Sequence, residues 1–109
     1  MILPMLVLLA ADAPSLEQSR TCQAHMEIMI QDAAREGGHV AGPTWFIRDW
    51  WALKTIEAGA PADDEAELAA AMAGLSAMSV TEPEQFRAKR QACVDAAVEA
   101  GAVPGMGPE

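Results

Sequence analysis

Two cysteines, Cys22 and Cys93, stand 71 positions apart in a chain of 109 residues. In a chain that enters an oxidising compartment, an even pair of this kind reads as a disulfide. No other feature constrains the fold as tightly, because a bridge must bring one early and one late segment within bonding reach. Closing a loop of about 70 residues removes roughly 4 kcal/mol of unfolded-state entropy on the chain-entropy model. That is a large fraction of a small domain's stability. Neither cysteine lies in a C-x-x-C, so no redox motif or zinc ribbon is indicated, and no C-x-x-C-H offers a covalent haem site.

Both cysteines fall in helical patterns. From Ser15 onward the chain reads as helix punctuated by Gly and Pro, without strand alternation and with few β-branched residues. Ser15 with Gln18 predicts a capping box for a first helix from Leu16 to about Glu36. Cys22, Met26, Met29 and Ala33 form its apolar face, and Gly37-Gly38 stops it. Thr44 is the expected cap of a second helix running from Trp45 to about Ala58. Phe46, Trp50 and Leu53 make one stripe of it, with Ile47, Trp51 and Lys54 beside it. A third helix begins near Pro61 to Asp63, with acidic residues in its first turn opposing the positive end of the macrodipole. Leu68, Met72, Leu75 and Ser79 are its inward face. Thr81 is the expected N-cap of a fourth helix, with Pro83 in the first turn and Glu84 closing a capping box. That helix carries Phe86, Arg90, Cys93, Ala97 and Ala100 at helical spacing, and Gly101 ends it.

The predicted architecture is therefore all-α: a small four-helix domain closed by one disulfide between its first and last helices. Residues 12–101 form the domain and residues 102–109, rich in Gly and Pro, a flexible C-terminal tail. A core this small is marginal alone, so a covalent staple is expected.

Residues 2–11, ILPMLVLLAA, are uncharged and almost wholly apolar. As a helix they would rise about 15 Å, half of a roughly 30 Å hydrocarbon core. The stretch fits the apolar region of a signal peptide covering residues 1–11, with cleavage after Ala11. An exported protein, periplasmic or extracellular and without stable membrane insertion after cleavage, is expected. Sixteen acidic residues against seven basic, a net charge of −9, argue against nucleic acid as a partner, since phosphates require clustered Lys and Arg.

Few residues suggest chemistry. The loop from Gly37 to Thr44 has the outline of a phosphate loop, but Pro43 stands where the lysine must be and no strand precedes it. His25 and Met29 are an i,i+4 pair that could serve copper, yet Met26 and Met29 already explain themselves as core. The carboxylates Asp63, Asp64, Glu65, Glu82 and Glu84 cluster at helix starts, where capping and dipole terms account for them. No catalytic, cofactor-binding or metal-binding residues are assigned, no cofactor is expected, and a non-enzymatic role follows.

The sharpest functional hint is aromatic. Trp45, Trp50 and Trp51 cannot all face inward on one helix, because positions 50 and 51 lie about 100° apart and position 45 about 140° from 50 the other way. An exposed Trp at a patch rim is typical of a binding anchor. The three are the candidate partner-binding residues, with Trp51→Ala or Trp45→Ala expected to spare folding while abolishing capture of a protein partner.

In layout, with an acidic helical chain and cysteines early and late in Arg20-Thr21-Cys22 and Gln91-Ala92-Cys93, the sequence resembles the small periplasmic acid-stress chaperones. The likeness is of spacing and composition, not of a motif. It implies the first alternative to a general protein-binding role in the cell envelope. Others are an immunity or inhibitor protein meeting a basic effector, and a small-molecule or metal carrier.

Overall fold

A computed structural model describes residues 13–106 of the chain. It contains four α-helices: α1 (Leu16–Arg35), α2 (Gly42–Glu57), α3 (Glu65–Thr81) and α4 (Pro83–Glu99), with no strand among the described residues. The apolar segment read as a signal peptide, residues 1–11, lies outside the described residues.

Ser15 caps α1 as its sequence predicts, its Oγ accepting from the Gln18 backbone N–H at 3.0 Å. The other helix starts differ from the sequence reading, each for a local reason. α2 begins at Gly42 rather than Trp45, with Ala41 as a cap lacking any side-chain bond. Pro43 sits in the first turn, where its missing N–H is not needed, and Gly42, having no Cβ, escapes the clash that proline imposes on its predecessor. α3 begins at Glu65, after Asp64. The Asp64 carboxylate does not cap it but takes a two-pronged bond from Arg20 of α1, Nε to Oδ2 at 2.9 Å and Nη2 to Oδ1 at 2.8 Å. Thr81 does not cap α4. It is the last residue of α3, its hydroxyl donating back to the Ala77 carbonyl at 3.2 Å. Pro83 bars the helical region to Glu82, so the break falls there, and Glu82 (φ −140°, ψ 65°) ends one helix and begins the next.

α1 is the hub. It packs against α2, α3 and α4, whereas no Cα of α2 comes within 8 Å of one in α3. It therefore buries two nearly opposite faces. Cys22 and Met26 join Ile47 and Trp51 of α2, Cys93 and Ala97 of α4, and Val103 in one core cluster. Ala24 and Ile28 join Leu75 of α3 and Phe86 of α4 in a second. The sequence reading recognised only the first face.

The disulfide joins Cys22 and Cys93, with 5.4 Å between their Cα atoms. It ties the middle of α1 to the middle of α4 inside the first cluster. Beyond α4, Gly101 adopts φ +87°, and its neighbour Ala102 donates its N–H back to the Ala97 carbonyl at 3.0 Å. This left-handed helix end turns the chain so that Val103, assigned by sequence to the tail, is 5% exposed in the core.

Candidate protein-binding surface

Of the two adjacent stripes in the α2 sequence, the one through Ile47 and Trp51 turns inward. Ile47, Trp51 and Thr55, at i, i+4 and i+8, are the buried residues, and Phe46 and Leu53 point outward. Both stripes are apolar, and hydrogen bonding distinguishes them. Trp51 is fully buried and donates its indole N–H to the Cys93 carbonyl at 3.0 Å. Thr55 donates its hydroxyl to the Trp51 carbonyl at 2.8 Å. Every polar atom on those two buried side chains is thus satisfied, which burial demands.

With that face inward, the opposite face carries Trp45 (41% exposed), Phe46 (48%), Leu53 (50%) and Ile56 (61%). At about 100° per residue all four fall within one sector, roughly 100° wide, centred away from the core. Asp49 and Glu57 are the acidic residues in or beside that sector. The other exposed large apolar side chains, Val80 and Met106, stand elsewhere and singly. A scattered apolar residue is ordinary on a protein surface; a contiguous helix face is not.

The face is held at a fixed angle. Arg48 bonds Glu27 of α1 at 3.1 Å and Asp49 at 2.7 Å, and its guanidinium lies 5.2 Å from the Trp45 ring centre. Lys54 pairs with Glu57 at 3.1 Å and lies 5.1 Å from the Trp50 ring centre. Both basic residues of α2 are therefore engaged with carboxylates.

The three tryptophans have separate fates. Trp51 has no surface to offer, so the expectation that Trp51→Ala spares the fold is overturned: its ring is a core element. Trp50 is half-buried, edge-on to Trp51 at 4.8 Å, and walls a shallow cleft of about 690 Å³ with Ala13, Pro14, Lys54, Glu57 and Ala100. The charges in that cleft are already paired with each other. Trp45 alone lies on the outward face. Phe46, Leu53 and Ile56 were missed as surface residues. Their signal was present, since α2 is apolar on two sides and its neighbours can bury only one.

A second feature escaped the sequence reading. His25 is completely buried between the two faces of α1, and neither ring nitrogen has a hydrogen-bond partner among the described residues. Its ring centre lies 5.0 Å from that of Phe86, and the Arg90 guanidinium stands 4.5 Å over the same Phe86 ring. Burial, reinforced by the positive charges of Arg90 and Lys89, lowers the imidazole pKa to about 4. Arg90 Nε and Nη2 and Ser19 Oγ are likewise buried without a hydrogen-bond partner among the described residues.

Among the described residues no three His, Cys, Asp or Glu side chains gather as a metal site, and no helix is long and apolar enough to cross a membrane. The chain matches no protein-family model, no curated protein and no solved structure.

Proposed function

We propose that this chain is a non-enzymatic protein-binding domain of the cell envelope, and that its partner docks on the outer face of α2. One observation carries the reading: four large apolar side chains, Trp45, Phe46, Leu53 and Ile56, are exposed together on one helix face. Removing such a face from water contributes roughly 25 cal/mol per Å², and aromatic anchors dominate interface energetics. The disulfide supports an oxidising location. The test is a photo-reactive amino acid placed at Phe46 or Leu53 in cells producing the protein, with Val80 as the control position. A discrete adduct from the α2 positions and none from Val80 is expected. Adducts that do not depend on position would sink the reading.

A second reading, an acid-triggered chaperone, is favoured by His25, whose buried neutral ring must take up a proton in acid. Suppression of client aggregation near pH 4, absent at neutral pH, would support it; equal activity at both would remove it.

A further inference from the structure

We propose that the partner of the α2 face is a cationic amphipathic helix of about three turns, not a second copy of this chain. The inference rests on the docking role proposed for this face and names the chemistry of the occupant.

The length comes from the stripe. From Trp45 to Ile56 the face runs about 16 Å along the helix axis, the span of three helical turns. Phe46, Asp49, Leu53 and Ile56 follow one another at intervals of three, four and three. With Asp49 as its one charged position, that is the spacing of a seam along which a second helix lies, its apolar residues meeting Trp45, Phe46, Leu53 and Ile56. Its four apolar side chains remain 41% to 61% exposed.

The charge comes from the surroundings. Asp49 and Glu57 lie in and beside the seam, and the basic residues of α2, Arg48 and Lys54, are already matched to Glu27, Asp49 and Glu57. No uncommitted cation remains on this helix. Around it stands a chain with sixteen acidic and seven basic residues. Two copies at −9 each would approach against their mutual repulsion. Asp49 and Glu57 are neutralised in those same pairs with Arg48 and Lys54, but Glu65 of α3, in no ion pair among the described residues, lines one cleft with Ile56, and a helix edged with Lys or Arg is steered toward this acidic chain. An anionic membrane surface is disfavoured on the same ground as a second copy.

The test uses the full, oxidised chain and two synthetic helical peptides with identical leucine stripes, one edged with lysine and the other with glutamate. Calorimetric titration is expected to show binding of the lysine peptide and at least tenfold weaker binding of the glutamate peptide. Leu53→Asp, at a half-exposed position, should weaken the lysine peptide at least tenfold and leave the circular-dichroism melting curve unchanged. Equal binding of the two peptides would overturn the proposal. So would lysine-peptide binding indifferent to Leu53→Asp, which marks general attraction to an acidic body. Should neither peptide bind while Leu53 still cross-links to a protein partner, the docking role stands and the cationic helix is refuted. Adducts from Leu53 to residues 2–11 of the same chain, to a second copy or to lipid vesicles refute it equally.

Discussion

Acidification should unfold this protein through one imidazole. His25 is fully buried, lacks hydrogen-bond partners among the described residues and faces two cations of α4, Arg90 and Lys89. Its pKa falls from 6.5 to about 4 on folding, with burial the largest cause. The group is a base whose folded pKa is depressed, so the unfolded chain binds the proton first. Above about pH 7.5 both states are neutral there and nothing is lost. Below 6.5 the unfolded state gains a proton that the folded state refuses, and stability declines until about pH 4, where the loss levels off. The full shift is worth about 3 kcal/mol, and most of it is already gone near pH 4.5. That is a large part of what a domain of this size possesses. The perturbation is His25→Leu, which removes the titration and the two unpartnered nitrogens together. The assay is urea denaturation of wild type and variant at about pH 7.5 and pH 4.5, followed by circular dichroism. At neutral pH the variant should be at least as stable as wild type, since no hydrogen bond is lost. On acidification wild type should lose roughly 2–3 kcal/mol more than the variant. Equal losses would refute the reasoning and place the acid sensitivity among the carboxylates. Asp64 does not confound the comparison: bonded to Arg20, its pKa lies below the ordinary 3.8, so its contribution is lost only at lower pH.

Other outcomes follow from the same structure. Replacing Cys22 and Cys93 by Ala should lower stability by about 4 kcal/mol on the chain-entropy model for so long a loop; a urea midpoint that does not move would contradict the staple's role. Trp51→Ala should cost about 3–5 kcal/mol, since it leaves a core cavity and removes the indole hydrogen bond to the Cys93 carbonyl. Trp45→Ala should change thermal stability by less than about 0.5 kcal/mol while weakening any α2 adduct. Gly74 and Gly101 predict opposite signs for one substitution. A Cβ meets nothing within 4 Å at either position, but Gly101 holds φ +87° and Gly74 sits in ordinary helix. Gly74→Ala should therefore stabilise, and Gly101→Ala destabilise, each by about 1 kcal/mol in thermal melts; a common sign would refute the backbone argument.

Helix count, helix type and the cysteine pairing were legible because they rest on local punctuation and on parity. Ser15, Gly37, Pro43, Pro83 and Gly101 mark boundaries that any neighbour would respect, and two cysteines permit one bridge. What was not legible was the choice of face. Periodicity shows that a helix has an apolar side, but α2 has two and α1 buries two, and the neighbours decide. Phe46 and Leu53 lost to Ile47 and Trp51, where an indole N–H finds the Cys93 carbonyl across 42 positions of sequence. The surroundings of His25 were illegible for the same reason, since no pattern along one helix reveals Phe86 and Arg90 arriving from another. Thr81 failed more locally: the restriction that Pro83 places on Glu82 outweighed the hydroxyl's preference for a cap. The candidate surface was legible only as an excess, more aromatic area on one helix than a single core face could absorb.

The position of the disulfide also determines which parts of the molecule feel tension. A pull on the two ends passes from α1 through Cys22 to Cys93 and out along α4. The first turns of α1, the last turns of α4 and the Val103 latch carry that load, and α2 and α3 lie in a slack branch beside it. Because α2 sits wholly within that branch, its outward face stays in register under a force that would unravel either terminus, and the sulfur bond sets how far the ends can travel.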